Sequence, residues 1–421
     1  MTATVLTRPA PRARGVRAVL AGNMAARLVA LAALGVATVM VARAGGPALL
    51  GAFTLLRVLP GLAGVLAAAG LPGAAPYFLA SRADEPGLRS TLSALTAAGS
   101  VLATVGWLAL TPVLHPVFFD DWGTGLVLAA ALAVFSQLYV AVGKALLQGS
   151  GDLAGANWAI IAEEVAFLPL YLVLLPIATS AQTLVAALVV ADVAVAVGIA
   201  ERLRRRGFFT GWQRPSRALG REICSYGARG QVGGLLSLVN LRMDVAILGA
   251  LAGPAVLGVY AVASKFAELL RLPGLAVTYV LYPAFARRSP ADATVRTRSL
   301  LWPAAGLNLA GAVPLALAAG PLLPLVYGKA FGGAVHPTWI LLAGLLGDSV
   351  AGLVTAYLYG VGRPGLNSLA LGAGVLVTVV GDLVLIPPYG VMGAAVASAV
   401  AYLTTVVTLM VCFRRVAGRP A

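Results

Sequence analysis

Twelve apolar runs, each near or above the length needed to cross a bilayer, dominate this sequence of 421 residues. They fall at about 18–42, 50–80, 91–114, 124–147, 154–177, 180–200, 225–251, 257–285, 299–319, 338–360, 367–386 and 391–412. A helix needs about 20 apolar residues to span the hydrocarbon. Backbone polar groups in lipid must be bonded within the segment, so the runs are expected to be helices. The chain is 60% hydrophobic and only 11% charged, where a soluble domain carries about 25% charged residues. The expected fold class is all-α integral membrane with about twelve transmembrane helices. The first run exceeds the roughly 7–15 apolar residues of a signal peptide and is read as a membrane helix. The second and eighth runs carry Pro60, Pro72 and Pro76, and Pro273 and Pro283. Their length and these prolines predict tilt or a kink.

Positive charge sets the orientation. With the N-terminus in the cytoplasm, the cytoplasmic segments hold 21 Lys and Arg, among them Arg8, Arg12, Arg14 and Arg17. The external loops then hold two, Arg43 and Lys329. That bias predicts both termini inside. It also accounts for the net charge of +15 without a nucleic-acid partner.

An internal repeat is visible. GGPALLGAF at 45–53 parallels AGPAVLGVY at 252–260, an offset of 207, and LQGSG at 147–151 parallels LYGVG at 358–362, an offset of 211. Between them lies the most polar stretch, 201–222, with seven arginines. The expected organisation is an N-lobe over 1–200, a basic cytoplasmic linker over 201–222 and a C-lobe over 223–421. Six crossings per half is even, so the two halves are related by an axis along the membrane normal.

Ionisable residues inside the runs carry the functional signal, because each costs about 2.5–3.5 kcal/mol or more against lipid. The basic ones are Arg27, Arg57, Lys144, Arg229, Arg242, Lys265 and Arg271; the acidic ones are Glu163, Glu164, Asp192, Asp244, Glu268, Asp348 and Asp382. Such charges imply a polar interior between the halves. Arg27 shares a face with Asn23, and neither Arg27 nor Arg57 has an acidic neighbour on its own helix. Arg229 lies in GARGQVGG at 227–234, a glycine-rich stretch able to bend or unwind. These residues with Arg242 form a candidate anion site, since guanidinium matches phosphate oxygens; the alternative is structural pairing with acids such as Asp348 or Asp382. Glu163, Glu164, Asp348 and Asp382 are candidates for binding a proton or sodium ion. Glu163 and Glu164 are adjacent, so one of them is expected to face the interior. Lys144 is expected to snorkel to a helix end, and Lys265, Glu268 and Arg271 have spacings that suit a self-neutralising triad.

Other chemistry lacks material. Cys224 and Cys412 are too few for a disulfide framework. His115 and His336 are expected in external loops, too far apart in sequence to suggest a metal site. No GxxxxGK[ST] motif occurs, and no cofactor is expected beyond a coupling ion. Asp120 and Asp121 are the only external carboxylates, and the longest external loop is expected at 320–337.

The segments at 22–71 (GNMAARLVALAALG…VLAAAGL) and 240–274 (NLRMDVAILGALAG…LLRLPG) resemble the first helix pair and the seventh and eighth helices of bacterial polysaccharide and oligosaccharide-lipid flippases. LIPPYGVMGAAVASAVAY at 385–402 and YGVGRP at 359–364 are similar to further stretches of that family. The resemblance implies two six-helix lobes forming a V around a central cavity. It also implies translocation of an undecaprenyl-pyrophosphate-linked oligosaccharide from the inner to the outer leaflet of a bacterial cytoplasmic membrane by ion-coupled alternating access. Family members carry arginines on the first two helices, where Arg27 and Arg57 fall. A polysaccharide polymerase and glycosyltransferases are the partners this implies, with membrane lipids around the helices. The rival readings are a multidrug or cation antiporter of the same superfamily, and a membrane polysaccharide polymerase or glycosyltransferase.

Overall fold

A 55-residue helix laid straight would extend about 80 Å, far beyond the ~30 Å hydrocarbon core. The first element, α1 (Ala13–Ala67), is therefore folded, at Gly46 with φ 66° and ψ −163°. Side-chain partners fix the fold-back. Asn23 and Arg57 would lie about 50 Å apart on a straight helix, yet they bond to Asn157 and Glu164, which are about 10 Å apart on a single helix. Only glycine takes such a positive φ without strain, and Pro47 follows directly, without an N–H to leave unbonded.

The chain, seen in a computed structural model, is described over residues 13–120, 122–178 and 180–418. Arg8, Arg12, Asp121 and Arg419 lie outside the described residues. The order after α1 is α2 (Leu71–Ser81), α3 (Leu88–Phe118), α4 (Thr124–Gly149), α5 (Leu153–Val165), α6 (Phe167–Leu174) and α7 (Ala181–Arg205). The second half runs α8 (Arg217–Glu268), α9 (Leu272–Ala286), α10 (Pro290–Tyr327), α11 (Val335–Gly344), α12 (Asp348–Gly360) and α13 (Pro364–Ala417). Two further long helices are folded like α1, α8 at Gly253 with φ 78° and α13 at Gly390 with φ 52°. Nine apolar stretches among the described residues are long enough to span. Three of them contain these folds, so the described residues make twelve crossings in two six-helix lobes. The even number returns the first and last helix ends, Ala13 and Ala417, to one face, which we call the terminal face; the glycine folds lie on the opposite, hairpin face.

The expected kinks occur. The second crossing breaks between α1 and α2 at Ala69 (φ 46°) and Gly70 (φ 81°). The eighth passes through a 3₁₀ turn at Leu269–Arg271. The sequence repeat becomes a reciprocal contact. A methyl group on Gly51 would lie 1.7 Å from the Pro254 carbonyl oxygen, and one on Gly258 would lie 1.9 Å from that of Pro47. The same patch is thus used by both halves, as a two-fold interface requires. Small residues elsewhere let backbones approach, as at Gly352 against the Gly274 carbonyl and Gly344 against Ala399; membrane helices pack this way because lipid supplies no hydrophobic drive between them. The outward faces carry exposed Leu102, Val197 and Leu376, which suit contact with lipid tails.

Three local expectations are corrected. The stretch 320–337 is mostly helical: α10 continues to Tyr327 and a 3₁₀ segment covers Lys329–Ala334. His115 lies in α3, bonded to the Trp122 carbonyl, and His336 in α11, beside Trp339; each follows the helical pattern of its neighbours despite a succeeding proline. Residues 227–234 do not unwind, since α8 stays helical through them up to Gly253. The segment before α8 docks on the start of α3: Gln213 and Ser216 donate backbone N–H groups to Ser90 Oγ and Thr91 Oγ1 at 3.1 and 3.0 Å.

Candidate functional site

Eight of the fourteen embedded charges line three adjoining cavities, two of them walled by residues of both lobes and one by the first lobe alone. The largest, about 730 Å³, lies toward the terminal face and is lined by Asn23, Arg27, Lys144, Gln148, Glu163 and Glu164 among others. A second of about 270 Å³ is lined by Arg57, Gln137, Glu163, Asp192 and Arg242. A third of about 180 Å³ reaches toward the hairpin face past Thr38, Thr54, Arg57, Glu164, Arg242 and Lys265. Arg57 borders the second and third, and Glu164 the first and third, so this pair stands at the junction.

Arg57 on α1 donates from Nη2 to both carboxylate oxygens of Glu164 on α5, at 2.6 and 2.7 Å. Its guanidinium also lies over the Phe53 ring at 5.5 Å. The side chains keep 23% and 16% exposure, so the pair is shielded yet open to the cavity. Lys144 on α4 forms an ion pair with Glu163 instead of snorkelling to the helix end. Glu163 and Glu164 both face the interior, correcting the expectation of one, because their partners approach α5 from different neighbouring helices. Arg27 Nε donates to Asn23 Oδ1 at 2.9 Å, and Asn23 Nδ2 donates to Asn157 Oδ1 at 3.0 Å. Asn23 thus positions Arg27 while its amide ties α1 to α5.

The second half contributes differently. Arg242 on α8 borders two of the cavities and makes no hydrogen bond or ion pair among the described residues. Lys265 pairs with Glu268 at 2.7 Å, while Arg271 leaves the expected triad and reaches Asp348 on α12 at 3.4 Å. Asp348 is therefore an ion-pair partner. Asp244 accepts from the Tyr260 hydroxyl at 2.6 Å and from the Val245 N–H at 2.8 Å, and Tyr260 also meets Ser398 at 2.9 Å. Asp382 is fully buried, and neither of its oxygens has a hydrogen-bond partner among the described residues. Arg229 is not brought to the site. It is exposed, lines none of the three cavities, and folds back on Ser225 of its own helix at 3.1 and 3.2 Å.

Sequence reasoning missed Gln137, which donates to Asp192 at 3.1 Å. It also missed the Tyr260 and Ser398 hydroxyls beside Asp244. Their only signal was a polar atom on an otherwise apolar helix. No group of three or more metal-ligating side chains occurs among the described residues.

At the terminal face α2 and α8 close on each other. Arg82 pairs with Glu222 at 2.8 Å, the Tyr77 and Tyr226 rings stack at 4.5 Å, and Gly70 lies against Gly227. Nearby, Asp152 caps α5 through the Gly155 N–H at 3.0 Å and receives Arg202 at 2.6 Å and Arg206 at 3.2 Å. The Arg202 hydrogen bond holds the Asp152 carboxyl below the ordinary carboxylate range.

Comparison with known proteins adds the following. A family model described as polysaccharide biosynthesis protein matches residues 13–289. The probable low-salt glycan biosynthesis flippase Agl15 of Haloferax volcanii is 24% identical over 366 residues, covering 86% of this chain and 75% of the relative. An inward-facing multidrug resistance MATE family transporter of the MOP superfamily superposes with a TM-score of 0.69 at 18% identity, covering 93% of this chain and 96% of the other. The lipid II flippase MurJ in an inward closed conformation gives 0.67 at 12% identity, covering 95% and 89%. At such identities the structural likeness establishes a shared fold.

Proposed function

The chain belongs to the polysaccharide biosynthesis protein family, and from that premise we propose that it is a flippase moving a lipid-linked glycan across its membrane. The observation that carries this reading is the set of arginines bordering the adjoining cavities: Arg27, Arg57 and Arg242, the last without a hydrogen bond or ion pair among the described residues. A diphosphate headgroup has several acceptor oxygens, and guanidinium forks match them bidentately. The named activities of the relatives, a glycan biosynthesis flippase and a lipid II flippase, support it. The protein is a transporter, not a polymerase or glycosyltransferase.

The finer reading concerns substrate, direction and coupling. The substrate is an undecaprenyl-pyrophosphate-linked oligosaccharide, supplied by glycosyltransferases on one side and consumed by a polymerase on the other. The excess of Lys and Arg on the terminal face supports a cytoplasmic side for that face and both termini, and a bacterial cytoplasmic membrane is the setting of this reading. Outward movement of a negative headgroup then runs with an inside-negative potential, about 2.3 kcal/mol per charge per 100 mV. Asp382 is the coupling residue we favour. An uncompensated carboxylate sealed from water is prohibitively costly, so Asp382 alternates between a proton or sodium-bound form and a form exposed when the lobes rearrange. Asp244, already bonded to Tyr260, stands near it.

Reconstitution in liposomes tests the reading. A fluorescent prenyl-diphosphate-linked glycan should become accessible to a membrane-impermeant quencher on the far leaflet only when the protein is present. A second reading, export of cationic drugs, is favoured by Glu163, Glu164 and Asp192 on the cavity walls. Transport of ethidium without transport of the lipid-linked glycan would establish it instead.

A further inference from the structure

Arg57 is occupied before any ligand arrives. Its Nη2 holds both oxygens of Glu164 at the junction of the cavities. An anionic headgroup that takes Arg57 must break those bonds. The freed carboxylate then stands beside a second anion in a site shielded from water, where like charges repel strongly.

Among the described residues, the other cations that share a cavity with Glu164 are committed elsewhere. Lys144 on α4 is held by Glu163, its neighbour on α5. Lys265 on α8 is held by Glu268. Arg242, also on α8, shares two cavities with Arg57 and so belongs to the same anion. Arg27 on α1 is oriented by Asn23 toward the terminal-face cavity. Asp192 on α7 adds negative charge, and Tyr327 on α10 brings only a hydroxyl. Glu164 therefore has one neutral exit, protonation from the water of the 730 Å³ cavity that it lines.

We infer that Glu164 is a built-in stand-in for the substrate's phosphate: it holds Arg57 in the empty transporter and gives way, taking up a proton, when the anionic headgroup binds. The inference rests on the anionic-substrate reading above. Two N–H···O bonds from Arg57 to Glu164 are exchanged for bonds to phosphate oxygen, and one O–H bond forms on Glu164 with a proton from solvent. Release of the headgroup reverses both changes and returns the proton to water. The empty cavity is thereby kept near neutrality, and the proton on Glu164 balances the bound headgroup's charge locally, apart from the coupling ion assigned to Asp382.

Calorimetric titration of the full chain in nanodiscs tests this, with farnesyl diphosphate as the probe and inorganic pyrophosphate as a second. The work is done at pH 8, above the second ionisation of a phosphate at about 6, in buffers of different ionisation enthalpy. The wild type should take up about one proton per diphosphate bound. Glu164→Gln should take up none and bind about tenfold tighter, because the competing charge-assisted bonds are gone. Arg57→Gln should lose binding. Arg57-dependent binding by the wild type without proton uptake overturns the exchange alone, and needs no Glu164 variant to fold. Unchanged proton uptake in Glu164→Gln overturns it as well. Absence of diphosphate binding by the wild type overturns the anionic-substrate reading and this inference with it.

Discussion

Both lobes hold membrane-embedded ion pairs, Lys265–Glu268 and Arg271–Asp348 in the second, but only the second buries a carboxylate, Asp382, with no hydrogen-bond partner among the described residues. In the first, Arg57, Lys144, Glu163 and Glu164 form ion pairs whose members keep 16–28% exposure to the cavity. In the second, Asp244 and Asp382 are sunk to 5% and 0% exposure, one bonded to a tyrosine and the other without a partner. A shielded but reachable ion pair can exchange partners with a charged solute. A sealed carboxylate admits only a proton or a small cation. On the proposed reading the contrast divides labour between lobes, with headgroup binding on the first, coupling on the second, and Arg242 of α8 lining the same cavities as Arg57.

Substitutions can break that division, starting with the largest effect. Arg57→Gln removes two charge-assisted bonds worth about 1.5–3 kcal/mol each, so glycan-lipid translocation in liposomes should fall by roughly a hundredfold or more. The double substitution Arg57→Gln/Glu164→Gln should restore the melting temperature, because no charge is left stranded, and not restore transport. Asp382→Asn should leave the melting temperature unchanged or higher while abolishing the dependence of transport on an ion gradient, a coupling of roughly 5–150-fold. If translocation by Asp382→Asn still follows the gradient, coupling does not reside there. Gly258→Ala drives a methyl group into the Pro47 carbonyl and should cost about 1–3 kcal/mol by thermal denaturation, more than the same change at Gly306, where the added methyl meets open space.

The smallest effect belongs to the terminal face. The folded-state value of Asp152 is depressed, so its stabilisation is present above the ordinary carboxylate range of about 4 and is lost as pH falls through the folded value. Amide exchange at the start of α5 should therefore quicken in acid. Asp152→Asn should remove that pH dependence without affecting transport.

Most of the fold was legible because a bilayer imposes a length and a polarity on every crossing. The repeat at Gly46–Pro47 and Gly253–Pro254 even marked where the halves meet. The site was legible in part. Embedded charge singled out Arg27, Arg57, Arg242, Glu163 and Glu164, all of which lie on cavity walls, with Asn23 beside Arg27. It could not assign partners, which depend on the rotation of each helix. Arg57 found Glu164 and Arg271 found Asp348 across helices, and Lys144 turned inward because Glu163 was there. Arg229 misled for the same reason: a glycine-rich neighbourhood permits unwinding, but α8 stays helical there and leaves Arg229 exposed.

The central claim is that substrate and coupling ion are handled by different lobes. Farnesyl diphosphate binding to Arg57→Gln and Asp382→Asn, measured side by side in nanodiscs, tests it most directly. The account predicts that Arg57→Gln loses the diphosphate while Asp382→Asn binds it with an affinity within about threefold of wild type. Equal loss in the two variants, or retention by Arg57→Gln, would contradict it.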